Sequence, residues 1–308
     1  MKYLIIGAGA LGSCLAGFMH RAGKDVTLIA RGEKLEIIRR DGITIETADG
    51  QTLIEQVKAV AAEDYDETPD VVVVCVKSYS LDSAFALLGR VCGPNTVILS
   101  LINALNVGDR IEAGMDRDVQ IAEGVAYVAV GLSSPGVVKQ KLNLFTVVLG
   151  ARHKHPMPAG VERIAADLTD VGLTVEISDD MLRSGLRKFI RVSTLSAAEV
   201  YYDGYAGDVR GSSESMQYLR DLGNELMQIG DAAGVPVPGD PVAELVEAVT
   251  NVDADYATSL MVDHKNGNET EYESQFYDVY ALGRAYGLPM EAYERVLRAI
   301  GYPGLPEG

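Results

Sequence analysis

The feature that most restricts this fold is a glycine-spaced turn between two short apolar runs near the amino end. Tyr3-Leu4-Ile5-Ile6 is continuous and apolar, the pattern of a strand buried on both faces. Gly7-Ala8-Gly9-Ala10-Leu11-Gly12 follows at once, and Leu15, Phe18 and Met19 recur at helical spacing up to Gly23. Residues 25–30 (DVTLIA) make a second strand. Strand, turn, helix and strand fit within about 30 residues, the length of a right-handed βαβ unit. With 32 glycines a GxGxxG arises easily by chance; the strand before it and the helix after it give this copy its weight. Gly7 permits the tight turn, Gly9 lets the backbone approach a pyrophosphate, and Gly12 lets helix and strand pack closely. The pyrophosphate then sits on the positive end of the helix. Residues 7–12 are the expected dinucleotide cradle.

The same stretch imitates a secretory leader, since Lys2 precedes the mostly apolar residues 3–19. Gly7, Gly9 and Gly12 would weaken a helical leader, His20-Arg21 follows without a small-residue cleavage site, and cutting there would remove the motif. No leader is therefore expected, and no other stretch is long and apolar enough to span a bilayer.

The second cofactor signal is the tip of the next strand, where an NAD-specific site would carry Asp or Glu for the ribose 2′-hydroxyl. Here Ala30-Arg31-Gly32 stands instead, with Glu33 close by. An arginine there pairs with a 2′-phosphate and stacks on adenine, so NADP(H) is the expected coenzyme. Residues 70–76 (DVVVVCV) form an uninterrupted β-branched strand ending at Lys77, and residues 96–101 form another, with Asn103 just beyond. Ligands of open α/β sheets collect on that rim. Lys77 reads equally well as a solvated loop lysine, and spacing does not separate Asn103 from Asn106 as the turn residue.

Further strands are expected at 42–46, 51–60, 120–130, 137–138 and 144–149, with helices at 33–40, 81–88 and 161–170 and a closing strand at 174–177. Beyond Ser178 long helical patterns dominate, at about 180–199, 214–233, 241–249, 255–266, 271–286 and 290–300. The 308 residues suit two domains. The expected fold is α/β, an N-terminal Rossmann-type parallel-sheet domain (1–177) followed by an all-α C-terminal domain (178–308). A short polar tail covers 303–308.

With 47% apolar and 23% charged residues the chain can bury sizeable cores. Its net charge of −17 argues against nucleic acid and anionic membranes as partners. Cys14, Cys75 and Cys92 lie in apolar stretches with no CxxC and no histidine at ligand spacing. They read as reduced core thiols, which suits the cytoplasm, and no metal site is expected. In the helical half, Arg183, Arg187, Lys188 and Arg191 make a basic stripe, and Glu269, Glu271 and Glu273 an acidic cluster. Solvated faces are the bland alternative for both. Ser259 and Asp263 share a helix face and could simply bond locally.

Together these residues resemble the ketopantoate reductase (2-dehydropantoate 2-reductase) family over nearly the full length. The resemblance rests on GAGALG, Arg31, VVVVCVK ending at Lys77, Asn103, LRKF around Lys188, Ser259-Leu260-Met261-Val262-Asp263 ahead of Glu271 in NETEYES, and Gly287-Leu288-Pro289. It implies an NADP-dependent oxidoreductase of pantothenate biosynthesis, reducing 2-dehydropantoate to pantoate or a related branched 2-oxo acid. It also implies a helical domain like the C-terminal domain of 6-phosphogluconate dehydrogenase; a homodimer is admitted but not specified. By that resemblance Lys188 protonates the carbonyl oxygen and Glu271 orients the lysine or a substrate hydroxyl. Ser259 and Ser196 bind substrate, and Asn103 contacts both substrate and nicotinamide. Gly7, Ala8, Gly9, Ala10, Leu11, Gly12, Arg31, Lys77, Asn103 and Glu271 contact the coenzyme. The chain departs from the family at the positions one and two turns after the lysine, where Val192 and Ser196 replace asparagines. It departs again at Ala104 and at Phe276-Tyr277. An opine or 3-hydroxyacid type dehydrogenase and a non-catalytic NADP(H)-binding sensor remain as alternatives.

Overall fold

In the computed structural model, which describes residues 1–305, the chain forms two compact units. Met1–Ile102 and Asn106–Met181 make the first; Asn103–Leu105 and the chain from Leu182 onward make the second.

The first unit is built on a ten-stranded, parallel-rich sheet. Its centre is β1 (Lys2–Ile6), which pairs in parallel with β2 (Asp25–Ile29) on one side. On its other side it pairs in parallel with the strand Val71–Val74. Numbering in chain order, the strands between are β3 (Ile43–Glu46), β4 (Thr52–Glu55) and β5 (Lys58–Val60), and Val71–Val74 is β6. Then come β7 (Val97–Ser100), β8 (Gln120–Ser134), β9 (Val137–Gly150) and β10 (Thr174–Ser178). The order β5-β2-β1-β6-β7-β8 is parallel throughout. All four valines of β6 are buried, as expected of a strand covered on both faces.

Beyond β8 the sheet departs from the all-parallel expectation. β8 and β9 are one long antiparallel hairpin, and β3 with β4 extends the sheet past β9. The strands expected at 137–138 and 144–149 are parts of that single β9, whose pairing with β8 is interrupted between Val128 and Val130. The interruption at 141–144 (KLNL) broke the alternation that would have marked one strand. Residues 51–60 split into β4 and β5, and the helix expected at 81–88 is a 3-10 segment (Ser78–Ala84) leading into α3 (Phe85–Val91). The helices before it are α1 (Ala10–Arg21) and α2 (Gly32–Asp41). A short α4 (Val107–Ala113) was not expected, and α5 (Val161–Asp170) was. The core of this unit gathers Tyr3, Ile5, Leu15, Met19, Leu28, Ile43, Val73, Leu99 and Leu168.

The second unit is helical: α6 (Met181–Tyr202), α7 (Ala206–Val209), α8 (Ser213–Ala232), α9 (Pro241–Asn251), α10 (Ser259–Lys265), α11 (Asp278–Ala285) and α12 (Glu291–Ala299). The pattern over 271–286 is not one α-helix: Glu273–Tyr277 is a π-turn feeding α11. Leu186, Phe189, Ile190, Leu219, Leu222, Leu226, Phe276, Val279 and Tyr293 form its core, and Leu105 belongs to it. The α/β-then-α fold class stands. No helix among the described residues is long and apolar enough to cross a membrane. The last residues of the polar tail lie outside the described residues.

Candidate active site

In the first unit the glycine turn links β1 to α1. Gly7 has φ +116°, and a Cβ there would lie 2.9 Å from the backbone of Cys75 and Val76. A Cβ on Gly12 would come within 2.0 Å of the Gly7 carbonyl oxygen. Both glycines are thus required by the fold itself. Gly9 is different: its φ is −80°, and a Cβ there would meet nothing within 4 Å. Neither conformation nor packing asks for glycine at that point, so the open space is what it preserves. Gly9 is the N-cap of α1, no side chain caps the helix, and its first turn holds no acid. Unmet N–H groups of a first turn attract an anion. These features fit a dinucleotide pyrophosphate.

Arg31 follows β2, is exposed and caps α2. Lys34, which belongs to no motif, lies near it: burial first, and the Arg31 charge second, lower the Lys34 pKa. Neither cation forms an ion pair with an acid among the described residues. Two unneutralised cations on one turn suit a dianion better than a hydroxyl. Lys77 is half-buried directly after the segment that continues β6.

In the second unit α6 separates the basic stripe into unlike members. Arg187 points outward to the Glu244 carboxylate at 3.0 Å and the Pro238 carbonyl at 2.9 Å, and Arg191 is exposed. Lys188 is only 7% exposed and donates from Nζ to Asn103 Oδ1 at 2.5 Å. Burial pushes its ammonium down to about 8, while the nearby Glu271 charge opposes the shift. Glu271 is itself buried, whereas Glu269 and Glu273 are exposed. Asn103 and Asn106 part company as well. Asn106 takes the left-handed turn position (φ 50°) ahead of α4, leaving Asn103 to face the lysine.

Ser259 is exposed in the first turn of α10, behind the N-cap Thr258, whose hydroxyl accepts from the Met261 N–H at 3.3 Å. Ser196 is fully buried and donates to that same Thr258 hydroxyl at 2.9 Å. Glu199 accepts from both the N–H and the hydroxyl of Thr258, at 3.1 and 2.7 Å. Burial pushes the Glu199 carboxyl up to about 7. The structure therefore groups Lys188, Asn103 and Glu271, and ties Ser196 to the start of α10 instead. Glu123 is another buried acid outside any motif. It takes the Gly108 N–H at 2.6 Å at the start of α4, and burial raises it to about 7. It was missed from sequence, although a glutamate inside the apolar strand IAEGVAYV is a signal that could have marked it. Asp109, Glu112 and His155 come within 4.8 Å of one another, but Arg152 donates to both carboxylates, at 2.9 and 3.0 Å. That group is an ion-pair cluster.

A glycine-rich strand–helix turn on a parallel sheet, followed by a helical unit with a buried lysine, defines a class: Rossmann-fold oxidoreductases with a helical C-terminal half. The chain belongs to the ketopantoate reductase family. Residues 3–154 match "Ketopantoate reductase PanE/ApbA" and residues 180–302 match its "C terminal" counterpart. The 2-dehydropantoate 2-reductase of Halobacterium salinarum is 26% identical over 275 residues, covering 89% of each chain. That of Aquifex aeolicus is 23% identical over 97% of this chain and 96% of its own. Among solved structures, a PanE/ApbA family ketopantoate reductase from Ralstonia eutropha has a TM-score of 0.86 at 25% identity, covering 98% and 97% of the two chains. A D-mandelate dehydrogenase with NADH and anilino(oxo)acetate has the same TM-score and coverage at 21% identity, a likeness of fold.

Proposed function

We propose that the protein is an NADPH-dependent reductase of a branched 2-oxo acid of the 2-dehydropantoate kind. The observation that carries this reading is Lys188: a buried ammonium, hydrogen-bonded to Asn103 and near the Glu271 carboxylate. A bound reduced nicotinamide supplies hydride to the carbonyl carbon of such a substrate. Charge then builds on the carbonyl oxygen, and Lys188 Nζ donates the proton that completes the hydroxyl. Burial makes that donor effective, because an ammonium near 8 releases its proton more readily than one at 10.5. Glu271 keeps enough of the charged form present, and Asn103 Oδ1 fixes the direction of Nζ. Ser259 holds the substrate carboxylate, while Ser196 and Glu199 act through Thr258 to fix the start of α10.

In this reading residues 1–177 hold the coenzyme, residues 178–308 hold the substrate and its acid, and Asn103 serves the second group. Gly9 leaves room for the pyrophosphate, and Arg31 with Lys34 takes the 2′-phosphate that distinguishes NADPH from NADH. The test is a panel of branched and aryl 2-oxo acids, 2-dehydropantoate included, followed by loss of NADPH absorbance. The expected result is turnover of at least one branched member, declining as pH rises through about 8 because the protonated lysine is consumed. No oxidation of NADPH with any member would refute the assignment.

A further inference from the structure

One buried side chain near the lysine has no role in the scheme above. Gln275 is fully buried, and neither its Oε1 nor its Nε2 has a hydrogen-bond partner among the described residues. A side-chain amide offers two donors and an acceptor, and leaving such a group unmet in a core costs about 1–3 kcal/mol. Leucine at the same place would pack without that penalty. Position matters as much as the unmet bonds. The Gln275 N–H donates to the Glu271 carbonyl at 3.0 Å, which sets Gln275 one turn beyond Glu271 on the same face. Its own carbonyl accepts from Ser193 Oγ at 2.5 Å, which ties it to α6 within about a turn and a half of Lys188. It also lies in the π-turn Glu273–Tyr277, a distortion that accumulates at functional sites. On α6, the positions one and two turns past Lys188 have no group to spare. Val192 has no polar side-chain atom, and the Ser196 hydroxyl is spent on Thr258.

We propose that Gln275 is a substrate-specificity residue, its amide hydrogen-bonding a hydroxyl on the side chain of the 2-oxo acid whose carbonyl meets Lys188. This rests on the reductase reading. An amide both donates and accepts, so it matches a hydroxyl and gains nothing from an alkyl group in its place.

The test is steady-state kinetics of wild type, Gln275→Leu and Gln275→Met with 2-dehydropantoate and with 3,3-dimethyl-2-oxobutanoate, the same skeleton without the hydroxyl. Wild type should favour the hydroxylated substrate. Both variants should lose about tenfold in kcat/KM for it, mainly through KM, and keep their activity on the deoxy substrate. NADPH affinity and Tm should not fall, since an unmet amide has been removed. An active wild type whose preference is unchanged in both variants would overturn the role of Gln275 alone. Wild type inactive on every 2-oxo acid would overturn the reductase reading and this role with it.

Discussion

Lys188 and Arg187 are neighbours in sequence with opposite fates, and the difference is a matter of helix register. Leu182, Leu186, Phe189 and Ile190 turn one side of α6 into the core, which carries Lys188 inward and leaves Arg187 to pair with Glu244 at the surface. Periodicity alone left the whole stripe open to a solvated reading, because a lysine at the flank of an apolar face snorkels as readily as it buries. Glu199 and Gln275 were silent for the opposite reason: both sit among core residues of helical stretches, and nothing in spacing distinguishes an unmet amide from a satisfied one. Arg31 stands out in the sequence because the acid expected at that strand tip is missing; Lys34 does not, because its nearness to Arg31 depends on how α2 begins. Replacing Arg31 by alanine should raise the Kd for NADPH by roughly tenfold to a hundredfold. NADH binding should change little, as checked by fluorescence titration of both coenzymes. Equal losses would remove the phosphate role.

At the level of elements, the β1–turn–α1 unit is where sequence and structure agree most closely, because steric demands there are absolute. The contrast between its glycines yields a paired prediction. Gly12→Ala places a methyl 2.0 Å from the Gly7 carbonyl, so α1 must move off the strand. Overpacking of that kind costs about 1–3 kcal/mol and should abolish coenzyme binding as well. Gly9→Ala meets no protein atom within 4 Å, so stability should hold to within about 1 kcal/mol while coenzyme affinity drops at least tenfold. Thermal melts and coenzyme titrations of the two variants read this directly. Full affinity in Gly9→Ala would mean that the open space is not the pyrophosphate site. Elements farther along were read less well. The β8–β9 hairpin was broken into pieces by the exposed KLNL stretch, and the π-turn after Glu271 has no sequence signature distinct from an α-helix.

For the whole molecule, the change from parallel sheet to helices was visible as a change of hydrophobic period, from continuous apolar runs to helical spacing near Ser178. The tripeptide Asn103–Leu105 was not visible as part of the second unit. Leu105 joins the helical core and Asn103 meets Lys188, contacts made across long sequence separation that local pattern cannot encode. With a net charge of −17, anionic ligands must be met by local cations, and in the proposed reading these are the buried Lys188 and the pair Arg31 and Lys34. In the proposed reaction Lys188 carries the chemistry. The decisive measurement is turnover of Lys188→Ala with NADPH and the best 2-oxo acid, alongside its NADPH affinity. A rate lowered by roughly 10²–10⁴-fold with coenzyme binding intact is the predicted result; turnover at the wild-type rate would contradict it.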